Sequence, residues 1–175
     1  MQGCVLILTL VLLIGHTCRA QGSDVPSKQE IMELAHKADA KVGSFEQANQ
    51  LAQSYISQAE FDKGVEYAAT AHKAVAAISR NPSSAYSSTE LLIVLNELAI
   101  DAASHARAIY AKAMGYATTG RTINMNELAA ANSFTTAQSA LTEVSESLGH
   151  STLRLIATEE KSKHEVAGLH TDNSR

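Results

Sequence analysis

Apolar residues recur along this chain at alternating steps of three and four, the spacing that gathers side chains onto one face of an α-helix. The longest run is Leu92, Leu95, Ala99, Ala102, Ala106, Ile109, Ala113 and Tyr116. It predicts a helix over about Thr89 to Tyr116, with Ser87-Ser-Thr-Glu90 as its capping box. Upstream, Ile31, Leu34, Ala35 and Ala38 predict a helix from Ser27 to Lys41, capped by Ser27 with Glu30 and ended by Gly43. Phe45, Ala48, Leu51, Ala52 and Tyr55 continue at helical spacing behind a second box, Ser44 to Gln47. Ser57-Gln-Ala-Glu60 is a third box, which either marks a turn or lies within a longer helix. Beyond it Phe61, Gly64, Ala68, Ala71, Val75 and Ile78 form the next stripe, and Arg80 to Ser88 is a polar linker holding Pro82. After the loop Thr118-Thr-Gly120-Arg121, a helix from near Asn124 carries Phe134, Ala137, Leu141, Val144 and Leu148 until Gly149 stops or kinks it. A weaker segment follows from Ser151 to about His164, and the polar end, 164–175, reads as a disordered tail.

One apolar run has no helical polarity. Residues 5–14, Val-Leu-Ile-Leu-Thr-Leu-Val-Leu-Leu-Ile, are too few to span a bilayer but suit the core of a secretory signal. The run is followed by Cys18-Arg19-Ala20, whose small residues at −3 and −1 suit a signal peptidase. Cleavage after Ala20 makes residues 1–20 a leader and leaves Gln21 as the new terminus; cleavage after Gly22 is the alternative. Both cysteines, Cys4 and Cys18, go with the leader, so the exported chain has no disulfide and must hold itself together by packing.

These elements define the expected fold as all-α, a four- to five-helix bundle of amphipathic, alanine-rich helices in one domain over 21–163. By count, 28 alanines fall after residue 20, against nine glycines and two prolines in the whole sequence, and there is no tryptophan. Alanine at the contact ridges lets helices approach closely and leaves a narrow interior, a poor place for a ligand cavity. The formal charge is −4, and loss of Arg19 with the leader takes it to −5. A mildly acidic chain is not a general binder of nucleic acid or of anionic membrane. After the leader no further apolar run is long enough to anchor the chain in a membrane.

Candidate chemistry is sparse. Glu33 and His36 form a single Glu-x-x-His, where a di-iron bundle needs two such motifs and two further glutamates. Glu160 and His164, near His170, have the spacing for weak zinc binding but fit better a solvated charged face. No Gly-x-Ser-x-Gly, His-Glu-x-x-His or phosphate loop occurs. The core positions read as apolar, with ionisable groups off the stripe, so no catalytic residue, metal or cofactor is expected. The one candidate site is the pair Asp101 and His105, in line with Glu97 on the central helix, a pH-sensitive contact that would tighten in mildly acidic fluid.

Leu51-Ala52, Tyr55, Ala59, Phe61, Gly64, Ala68 and Ala71 resemble the helix-pair pattern of a tetratricopeptide repeat. The pattern departs at Gly64, where that family has alanine, and no second copy follows at a 34-residue step. In size, lack of cysteine and amphipathic helices the exported chain is also similar in architecture to exchangeable apolipoproteins, which implies a carrier of lipid or a small apolar ligand. Such helices want broad Leu, Phe and Trp faces rimmed by Lys and Arg, unlike these. The function expected first is therefore a secreted, extracellular structural or protein-interaction protein, meeting other proteins and its own copies. A lipid carrier comes second, and an exported effector acting on a host protein third.

Overall fold

Serine hydroxyls open three of the four helices in the computed structural model, which describes residues 25–172, with side chains to His164. The leader expected at 1–20 lies outside the described residues. The helices are α1 (Lys28–Ala52), α2 (Gln58–Arg80), α3 (Ala85–Thr118) and α4 (Met125–Asp172), and no strand occurs among the described residues. Ser27 Oγ accepts from the Glu30 amide, and Ser84 Oγ accepts from the Ser87 amide. Ser57 and Glu60 form the complete capping box, so that motif does mark a turn. The Ser57 amide donates to the Glu60 carboxylate at 2.8 Å, which, with the bond from the Ser57 hydroxyl, depresses the Glu60 pKa.

The breaks fall where backbone chemistry demands them. The Ser84 amide donates to the Asn81 carbonyl, closing a turn around Pro82 between α2 and α3. α3 ends in a Schellman motif: the Arg121 amide donates to the Tyr116 carbonyl and the Gly120 amide to that of Ala117. Gly120 supplies the required positive φ of 71°.

Gly43 and Gly149, by contrast, do not end helices. α1 passes through Gly43 because Val42 and Phe45 beside it are fully buried. α4 passes through Gly149 between buried Leu148 and buried Ser151 and Thr152. Each glycine costs a helix roughly 1 kcal/mol relative to alanine, less than the flanking apolar groups gain by burial. The bundle thus has four helices, the lower of the expected numbers, and α4 keeps its helical backbone to Asp172.

Short connections make neighbours antiparallel, and side-chain partners give the register. On α3 and α4, Asn96 meets Ser145 and Lys112 meets Glu127, one number climbing as the other falls. α1 runs against α4 through Glu30 with Ser151 and Phe45 with Phe134, and against α2 through Asp39 with His72 and Asn49 with Phe61. α1 and α3 each pack between α2 and α4, closing a ring of four. The segment resembling a tetratricopeptide unit covers the end of α1, the turn and the start of α2, and is no separate repeat.

Half of the buried apolar side chains among the described residues are alanines. α2 faces the core with Gly64, Ala68, Ala71 and Ala74 between Phe61 at one end and Val75 and Ile78 at the other. At Gly64 an added Cβ would lie 2.9 Å from the Asn49 amide nitrogen, so α1 and α2 approach there as only glycine permits. α4 compensates with bulk: Phe134, Leu141 and Leu148 are fully buried. No described helix is long and apolar enough to cross a membrane.

Candidate functional site

The pair singled out in the sequence, Asp101 and His105, lies in the interior. Successive turns of α3 carry the row Glu97, Asp101, His105 from the exposed side into the core, where Asp101 is 7% exposed and His105 4%. A contact with an outside partner is out of reach of both. The expectation that ionisable groups stand off the apolar stripe therefore fails at these two residues, and again at Glu127, 4% exposed on α4.

Each buried charge has a surface cation reaching in. Lys63 of α2 donates to Asp101 Oδ1 at 3.3 Å, with its ammonium 5.0 Å from the centre of the Tyr67 ring. That hydrogen bond and the carboxylate's charge raise the Lys63 pKa. Lys112 Nζ stands 3.7 Å from Glu127 Oε1. The satisfaction is incomplete: Asp101 Oδ2 and His105 Nδ1 are 3.4 Å apart without a well-formed hydrogen bond, and both lack another partner. The His105 ring stacks on Phe134 at 5.0 Å, and Phe134 meets Phe45 at 5.8 Å on its way across the core. Here histidine serves as a flat core side chain.

A histidine the sequence did not point to holds the more exposed site. His72 of α2 sits on the α1–α2 seam between two carboxylates of α1, seven residues apart. Its Nδ1 is 2.7 Å from Asp39 Oδ1 and its Nε2 3.4 Å from Glu46 Oε2. Partial burial disfavours the charged ring, but the hydrogen bonds to Asp39 and then Glu46, with their charge, outweigh it and hold the pKa above the ordinary imidazole value. The signal for this clamp is not local. It needs the hairpin register that brings residue 72 beside 39 and 46. Glu33 and His36 are both exposed, Glu33 accepting from Gln29, and no group of three or more metal-ligating residues assembles among the described residues.

The other feature is a surface. Half of the exposed large hydrophobic residues among those described lie on α3: Tyr86, Ile93, Ile100, Tyr110 and Met114. Tyr86, Ile93, Ile100, Arg107 and Met114 follow at steps of seven, so they share the outer face, away from the core stripe of Leu91, Leu95, Leu98 and Ala102. Ile100, Ala103, Ser104, Arg107 and Ala108 line a shallow open depression at its middle. This second period was legible in the sequence, but the stronger core stripe of the same helix hides it.

No family model, no curated protein and no solved structure matches this chain.

Proposed function

We propose that this is a secreted, disulfide-free helical protein that works by contact with other proteins and performs no catalysis. Export is supported by the leader pattern, an apolar run at 5–14 followed by Cys18-Arg19-Ala20. The observation that carries the contact reading is the outer face of α3. Tyr86 is 72% exposed, Ile100 65% and Ile93 56%, aligned along one side of a 34-residue helix. Scattered exposed hydrophobics are ordinary, whereas an aligned set this long marks an interaction surface. The buried charges support the non-catalytic part, since Lys63 and Lys112 are engaged with the carboxylates and the stacked His105 is covered.

The test has two arms. Expression of the full chain in secreting cells is expected to yield protein in the medium beginning at Gln21 or Ser23; retention of the leader inside cells overturns export. Chemical cross-linking of the released protein in its native fluid is expected to give protein adducts that Ile93→Asp with Ile100→Asp removes. Adducts indifferent to those changes, or their replacement by lipid co-purifying through the same face, overturn the contact reading.

A further inference from the structure

We infer that the outer face of α3 pairs with the same face of a second copy of this chain, antiparallel, with the two Ile100 side chains meeting near the two-fold axis. This rests on reading that face as a protein-contact surface and names its occupant. Three observations carry it.

The first is the period. Tyr86, Ile93, Ile100, Arg107 and Met114 repeat every seven residues over 29 positions. On a straight helix such a row drifts by about 20° per heptad. It stays in register only against a long, slightly crossed helical partner, the geometry of coiled-coil packing. A second α3 has the matching length and repeat.

Charge supplies the orientation. The N-terminal half of the face is edged by Glu90 and Glu97, and the C-terminal half carries Arg107. Within one protomer neither Glu97 nor Arg107 forms an ion pair among the described residues. In an antiparallel pair centred on Ile100, Arg107 stands level with Ile93 of the second copy, flanked there by Glu90 and Glu97. Tyr86 stands level with Met114, a favourable sulfur–aromatic contact. Ala103 and Ser104 keep the centre small enough for close approach. A parallel pair would instead set Arg107 against Arg107 and Glu97 against Glu97, which opposes association.

Area is the third. At roughly 200 Å² for a fully exposed large side chain, the four apolar residues of the row present on the order of 500 Å², and Tyr110 beside them about 100 Å² more. With Arg107, Glu97 and the small residues between them, the face reaches about the 800 Å² per partner of a standard stable interface. The arrangement is isologous and closes on itself, so it yields a dimer and leaves no free copy of the face to extend a fibre.

Sedimentation equilibrium of the processed chain over micromolar to millimolar concentration tests the pairing. A monomer–dimer equilibrium is expected, weakened at least tenfold by Ile100→Glu and by Arg107→Glu. Far-ultraviolet circular dichroism is expected to stay unchanged, because both side chains point to solvent. Combining Glu90→Arg, Glu97→Arg and Arg107→Glu is expected to restore association. The processed chain lacks cysteine, so introduced thiols report register: Ile100→Cys is expected to oxidise to a covalent dimer, Ile93→Cys alone not, and Ile93→Cys mixed with Arg107→Cys to cross-link. Monomer at millimolar concentration, or a dimer insensitive to these changes, overturns the inference. In that case protein adducts lost with Ile93→Asp and Ile100→Asp would still uphold the broader contact reading, whereas loss of both would sink it.

Discussion

His105 and His72 stand on adjacent helices of one bundle and have opposite settings. His105 stacks on Phe134 inside the core, and its closest charged neighbour, Asp101, is neutralised from outside by Lys63. His72 is 38% exposed and holds a carboxylate on each ring nitrogen. An acid four residues from a histidine on one helix is the pattern that a sequence displays. The difference lies in their surroundings, which the spacing along one helix does not fix. At His72 it is the hydrogen bonds to Asp39 and Glu46, carboxylates of the facing helix, that raise the pKa against partial burial. The buried region should therefore answer to substitution strongly, and the seam to pH gently.

The sharpest break in the comparison is Lys63→Met. It leaves the Asp101 carboxylate, 8% exposed, with no countercharge but a poorly placed histidine. Removing one partner of a buried pair costs 3–5 kcal/mol; because Lys63 is half exposed, about 2 kcal/mol is expected here, measured by urea unfolding. Asp101→Asn should cost little alone, and in the Lys63→Met background it should recover most of the loss. If Lys63→Met is neutral, the charge at Asp101 is not held by Lys63, and the account of the buried region fails.

Gly64 tests the tight side of the same region. The Asn49 amide donates to the Phe61 carbonyl at 3.0 Å, across the seam where α2 presents no side chain. In Gly64→Ala the new Cβ would force that amide aside, against the roughly 1 kcal/mol that alanine gains in a helix. Displacing a buried amide from its bond costs 1–3 kcal/mol, so a net loss of about 1 kcal/mol is expected. With Asn49→Ala already in place the sign should invert, and Gly64→Ala should stabilise by about 1 kcal/mol. The same sign in both backgrounds would show that close approach at Asn49 does not explain the glycine.

These tests also mark what could be read from the residues alone. The helical character, the caps at Ser27 and Ser57, the turn at Pro82 and the stop at Gly120 follow from local chemistry and were legible, whereas α3 opens at Ser84, a turn before the box expected at Ser87 to Glu90. Gly43 and Gly149 do not end their helices, since a local breaker is outweighed by burial on both sides that only the assembled bundle supplies. Glu30 shows the same limit: its amide is capped as expected, but its carboxylate accepts from Ser151 and Arg154 of α4 and does not close the box. The spacing pairs Asp101 with His105 but does not show their burial, because their row winds inward from exposed Glu97. The clamp on His72 joins residues 33 positions apart, and nothing before the hairpin register brings them together.

The smallest effect expected is the pH dependence of the α1–α2 seam. The His72 pKa is raised in the folded state, so its pairing stabilises the fold fully below the unfolded imidazole value of about 6.5. It is lost as pH climbs through the higher folded value. The ring and both carboxylates are more than a third exposed, so the contribution is expected to be a few tenths to at most about 1 kcal/mol, and to shrink in high salt. Unfolding free energy should accordingly fall slightly from pH 6 to pH 8 in the native chain. In His72→Gln that slope should flatten, because glutamine can still accept or donate across the seam but cannot charge. Asp39→Asn should reduce the slope more than Glu46→Gln, since Asp39 makes the 2.7 Å contact and Glu46 the 3.4 Å one. If His72→Gln leaves the slope intact, the account of the α1–α2 seam fails.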